Sequence, residues 1–201
     1  FESACPGRET VGYFFDAEGL RPKAVVQISH GMCEYIGRYA DFASFLVKHG
    51  FAVCGNDHLG HGETGKLAGE YGFFAERDGR TFVLRDLKTM NELARKRWPG
   101  VPVILLGHSM GSFFARLYAE VYGRELAGLI LSGTAGPNPA ARMGIRLTGF
   151  LSVAKGSTAF SPLVDKIAFG SYNKRFSGTT GKEWITGDPD ALAAYMADPK
   201  C

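Results

Sequence analysis

The 201 residues predict an α/β fold: a mostly parallel sheet with flanking helices, followed by a helical region. Three features carry that expectation. Short apolar, β-branched runs alternate with helical patterns as far as Ser132, glycine- or proline-bearing turns separate them, and no clean strand pattern recurs beyond Ser132. The boundaries read as an α/β core at 1–134 and a helical cap or lid at 135–201.

The elements can be justified in order. Val11–Phe15 reads as a first strand, and Ala24–Ser29 is a largely apolar run suited to a strand covered on both faces, with Arg21-Pro22 turning between them. From Tyr39 to Lys48, Phe42, Phe45 and Leu46 recur at helical spacing, and Gly50 follows as a stop. Phe51–Gly55 is the next strand. The stretch 56–78 is glycine-rich and weakly periodic, which reads as a functional loop. Thr81 is placed to cap a helix whose apolar face holds Val83, Leu87, Met90, Leu93 and Ala94, and Pro99 ends it after Trp98. Val103–Leu106 is a short buried strand, Ser112–Tyr122 a helix closed by Gly123, and Leu126–Ser132 a further strand. In the last third, helical patterns occupy 142–154 and 189–197, the second with Asp188 as N-cap and Pro189 at the first helical position.

Composition narrows the function classes. With 45% hydrophobic and 21% charged residues the chain can bury a substantial core. A net charge of +3 with scattered basic residues gives no continuous stripe for nucleic acid. The four cysteines, Cys5, Cys33, Cys54 and Cys201, show no paired spacing, so reduced thiols in a cytoplasm are expected. No apolar run reaches the roughly 18 residues that span a bilayer, and the start lacks the layout of a signal peptide. The chain begins at Phe1 and stops at Cys201, which suggests a truncated or cleaved product.

The chemistry concentrates in Gly107-His108-Ser109-Met110-Gly111, a GxSxG pentapeptide after a buried strand and before a helix. That context calls for a sharp strand-to-helix turn which holds the serine in strained geometry and lifts its hydroxyl above the sheet. The helix start then faces the reacting centre, and the Met110 amide is available to an oxyanion. Ser29-His30-Gly31-Met32-Cys33-Glu34 begins where an α/β-hydrolase places the loop that gives the second oxyanion amide, here from Met32. A glycine-rich turn with an incidental serine, and a His-Gly turn of no function, are the plainer readings.

The segments HGMCEYIGRYADFASFL, GFAVCGNDHLGHGETG and ILLGHSMGSFFARLYA together resemble the monoacylglycerol lipase, lysophospholipase and serine-aminopeptidase-like branch of the α/β-hydrolases, and ALAAYMADPKC is similar to its pattern near the end of the cap. The resemblance runs from about Val11 to Cys201 and implies an α/β-hydrolase fold with a helical cap. It implies Ser109 as the nucleophile, Met32 and Met110 amides as the oxyanion hole, and a structural role for the loop at 57–62. It implies no cofactor and no metal.

The sequence departs from the family in one respect. The triad acid and base follow the serine in α/β-hydrolases, yet all five histidines, His30, His49, His58, His61 and His108, precede Ser109. The base, the acid and the last strands of the sheet are therefore expected to be missing from these residues, no acid or base is assigned, and this chain alone is expected to be inactive. Other motifs carry less. Gly60–Lys66 approaches a phosphate-binding loop, but Leu67 stands where a magnesium-holding hydroxyl would be, and no helix is expected to open there. Cys54, Asp57, His58 and His61 match no standard zinc spacing.

The expected function is a serine esterase or lipase acting on a small-molecule, lipid-like monoacyl ester through an acyl-enzyme on Ser109. A peptidase or amidase on the same scaffold and a catalytically silent ligand-binding homologue are the alternatives. The face formed by Met143, Leu147, Phe150, Leu151 and Ala154 suits an acyl channel, peripheral lipid contact or packing on the core, and these stay open. A sheet edge left open by truncation suits self-association.

Overall fold

The computed structural model describes residues 1–139 and 141–201. They form two compact units, Phe1–Ala135 with Lys200–Cys201, and Gly136–Pro199.

The first unit is built on five strands: β1 (Gly12–Phe15), β2 (Val25–Ser29), β3 (Ala52–Asn56), β4 (Val103–His108) and β5 (Gly128–Ser132). Their order across the sheet is β1-β3-β2-β4-β5. β1 runs antiparallel to β3; every other pair is parallel. The crossovers are made by α1 (Ala40–Lys48), α3 (Gly79–Arg97) and α4 (Met110–Tyr122), while the short α2 (Gly62–Ala68) follows β3. Every residue of β2 is buried, because β3 and β4 flank it and helices cover both faces. Its alternation sorts the core. Val25 joins Met90 and Ala94 of α3, whereas Val26 and Ile28 join Ile36 and Ala43. The one amide in the strand, Gln27, is satisfied inside the protein: its Nε2 donates to Leu87 O at 2.8 Å and its Oε1 accepts from Asn91 Nδ2 at 2.8 Å.

Two local expectations need correction. Thr81 does not cap α3. That helix opens at Gly79 from Asp78, whose backbone is left-handed (φ 57°) and whose carbonyl accepts from the Thr81 and Phe82 amides. The stretch 56–78 also holds a helix, α2, directly where none was expected to open. Its first turn is held from outside, by Asp57 Oδ2 accepting from the Glu63 amide at 2.8 Å, so local apolar periodicity gave no sign of it.

The second unit contains α5 (Ala141–Lys155), α6 (Pro162–Phe169) and α7 (Pro189–Ala197). Asp188 caps α7 as its sequence suggests, accepting from the amides of Asp190 and Ala191, with Pro189 next to it. The helix α6 has the same start chemistry in Ser161 and Pro162, which the sequence reading passed over. Between α6 and α7, Phe169, Tyr172 and Trp184 pack ring against ring, with centroids 5.0 to 6.3 Å apart. On α5, Met143, Ile145, Phe150 and Val153 are exposed.

Candidate active site

Ser109 sits between the last residue of β4 and the first of α4, exposed, with φ 50° and ψ −118°. A side chain in that region strains the backbone, at about 1–3 kcal/mol, and persists only where the surroundings enforce it. The neighbouring glycines show how. A Cβ on Gly111 would overlap the carbonyl oxygens of Ser29 and His30, and one on Gly107 would come within 2.6 Å of Ala115 Cβ. The helix can therefore start against the end of β2 only because both positions lack side chains. The turn is tied down by Ser109 N donating to Ser132 O at 2.9 Å, and by Ser112 donating to Ser109 O from both its amide (2.9 Å) and its hydroxyl (2.6 Å).

Met110 is the first residue of α4, where the helix's own hydrogen-bond ladder offers its amide no partner. The helix dipole adds partial positive charge at that end. Met32 lies on the exposed turn that follows β2, just after Gly31, and Cys33 beside it has positive φ (55°). A Cβ built on Gly31 would stand 3.2 Å from Ser109 Cβ, so this loop runs alongside the serine. The structure thus brings Ser109, Met110 and the segment carrying Met32 to one end of the parallel strands.

Buried histidines brace the loop. His30 Nε2 accepts from the His58 amide at 2.9 Å, so its ring proton sits on Nδ1, 2.8 Å from Gly31 O. Burial, with His61 nearby, pushes His30 down to about 3, so the ring stays neutral. The His30 and His58 rings lie 4.1 Å apart, and Ser29 Oγ meets His58 Nε2 at 3.0 Å. Asp57 has a structural task. Its carboxylate accepts from Ile36 N, Tyr13 OH and Glu63 N, while burial pushes its pKa up. Among the described residues, no group of three or more His, Cys, Asp or Glu is arranged to hold a metal ion. No described helix is long and apolar enough to cross a membrane.

Residues 20–201 match the family described as serine aminopeptidase, S33. The chain belongs to that family. Among curated relatives, the monoacylglycerol lipase of Mycolicibacterium smegmatis is 30% identical over 178 residues, covering 89% of this chain and 56% of the relative. The monoglyceride lipase of Homo sapiens is 39% identical over 110 residues, 55% of this chain and 34% of the relative. A thermostable carboxyl esterase from Bacillus coagulans, solved with glycerol, superposes with a TM-score of 0.89 at 29% identity, over 100% of this chain and 64% of that one. The fold is that of the α/β-hydrolases, and the chain spans about half the length, or less, of these curated relatives.

In this member of the serine aminopeptidase S33 family the sequence reading missed two polar residues beside the serine. Glu34 Oε1 accepts from the Gly31 amide, from Tyr39 OH at 2.8 Å and from His108 Nδ1 at 3.0 Å. The carboxylate next to His108 raises the imidazole's pKa. Burial pushes Glu34 up, but these hydrogen bonds outweigh it and hold the acid below its usual range. The available signal was the spacing Gly31-x-x-Glu34, which allows a side chain to return to an amide three residues back.

Proposed function

We propose that these residues belong to a serine hydrolase that cleaves carboxylic esters, foremost lipid-like monoacyl esters such as a monoacylglycerol or a lysophospholipid, through an acyl-enzyme on Ser109. The observation that carries the reading is the exposed Ser109 at positive φ on the β4–α4 turn, with a second loop beside it. Enforced strain of this kind marks functional turns. Family membership and the lipase and esterase relatives support the reaction class.

In the proposed mechanism Ser109 Oγ attacks the ester carbonyl, its proton passes to a general base, and the Met32 and Met110 amides stabilise the anionic oxygen of the tetrahedral intermediate. Collapse expels the alcohol, which takes the proton back, and water activated by the same base then releases the acid. No histidine follows Ser109 within the 201 residues, so this reading draws the base and its acid partner from chain outside them. By themselves these residues are expected to retain only about 10³–10⁴-fold over the uncatalysed rate. The unit at 136–199 serves as a cap, with the exposed apolar residues of α5 meeting acyl chains or a lipid surface.

The test is labelling by a fluorophosphonate of the protein from the whole reading frame that contains these residues, read by intact mass. Stoichiometric label on wild type and none on Ser109→Ala supports the reading; label on both, or on neither, refutes it. Rates on acyl esters of increasing length test the substrate class, and a preference for acetyl esters counts against it. The family description favours a second reading, a peptidase on the same scaffold. Faster turnover of aminoacyl amides than of monoacylglycerols would select it.

A further inference from the structure

We infer that Glu34 is a positioning residue: one carboxylate oxygen gathers the oxyanion loop, Tyr39 and the residue preceding the nucleophile, so that loop and elbow are held as one body. The inference rests on the reading of Ser109 as nucleophile and deepens it. The three donors come from three separate segments of chain. The Gly31 amide belongs to the loop after β2, one residue before Met32. Tyr39 ends the 3-10 turn Ile36–Tyr39, and His108 ends β4 immediately before Ser109. The β2–β4 ladder ties the two segments together as far as Ser29 and Gly107; past it, the close approaches of Gly31 to Ser109 and of Gly111 to the Ser29 and His30 carbonyls are steric. Steric contact limits approach but not separation, whereas a shared anionic acceptor holds both sides together. The carboxylate is well shielded, its side chain only 15% exposed, so water competes weakly for that oxygen. His30 holds the next peptide unit, the one that carries the Met32 amide, through Gly31 O, so both backbone polar groups of Gly31 are engaged.

The consequence is catalytic because the distance between the Met32 amide and Ser109 Oγ must suit a developing oxyanion, and a displacement near 1 Å lowers rates about 100-fold. Glu34→Ala is expected to lower kcat, and the rate of fluorophosphonate labelling, by about that factor with KM little changed. Glu34→Gln keeps a carbonyl oxygen for the three donors and is expected to recover most of the loss. A residue that only stabilised the fold would lower the melting temperature and leave the rate per folded molecule unchanged, and that result overturns the inference. So does equal loss in the Ala and Gln variants. A separate readout does not depend on the nucleophile: amide exchange at Gly31 should accelerate in Glu34→Ala, and the His108 ring should titrate at lower pH in Glu34→Gln. If wild type takes no label, the functional reading fails, while these two measurements still decide whether the clamp exists; unchanged exchange and titration overturn it.

Discussion

Strands β2 and β5 have five residues each, both apolar in character and both paired in parallel with β4, yet they occupy opposite environments. Every residue of β2 is buried, while Leu129, Ile130 and Leu131 of β5 are 39%, 47% and 37% exposed. The difference lies in the neighbours. β2 has a strand on each side and helices on both faces, whereas among the described residues β5 is the last strand in the sheet order, paired with β4 on one side. A parallel strand with apolar residues on both faces is built for cover on both faces. The sequence of a strand therefore states the environment it needs, and its neighbours decide whether that need is met.

The largest expected effect separates the two strands directly. Ile28→Ala in β2 should destabilise the chain by about 2–5 kcal/mol in urea unfolding. The same change at Ile130 of β5 should register below about 1 kcal/mol, since much of that side chain is already in water. Equal losses would show that β5 is covered in solution. Next comes the polar residue of the buried strand. Asn91→Ala leaves Gln27 Oε1 without its donor in a site closed to water, at about 1–3 kcal/mol. A smaller change in stability is expected from Ile130→Lys, within about 0.5 kcal/mol. Its effect should appear instead in light scattering: the 201-residue chain is expected to associate as concentration rises, and the lysine to suppress this by charging the open edge. Association unaltered by the lysine would place the contact elsewhere.

The smallest effect concerns the strand between them. β4 ends at His108, whose backbone pairs with Ser132 of β5 and whose ring reaches Glu34 after β2. Glu34 raises the His108 pKa above the ordinary 6.5, so the pair contributes stability that is full below that value and is lost as pH rises through the folded-state pKa. The ring is partly exposed, which keeps the contribution small. The melting-temperature difference between wild type and His108→Gln should shrink as pH is raised from 6 upward, and a flat difference would remove the β2-side contact from the account.

Much of this arrangement was legible because it is local. The continuous apolar run of β2, the Asp188 cap and the sharp strand-to-helix turn at Gly107–Gly111 each depend on residues a few positions apart. What the sequence reading missed depends on distance along the chain or on a neighbour's identity. Glu34 meets His108 across 74 positions. Asp57 starts α2 from outside that helix, and Thr81 loses the cap to a left-handed Asp78 that no periodicity marks. The open sheet edge was expected, but from the absence of a histidine after Ser109 and not from Gly128–Ser132, in which nothing distinguishes a covered strand from an open one.

The tight seating of Gly111 against the Ser29 and His30 carbonyls bears on how selection experiments would read this protein. In a library randomised around Ser109 and selected for the proposed activity, survivors should be fixed at 107 and 111 as firmly as at 109. An observer counting survivors alone would then credit three positions with chemistry. On the proposed function only the serine would react; the glycines are required by the space they leave empty, and unfolding data on the rejected clones would tell the two kinds of intolerance apart.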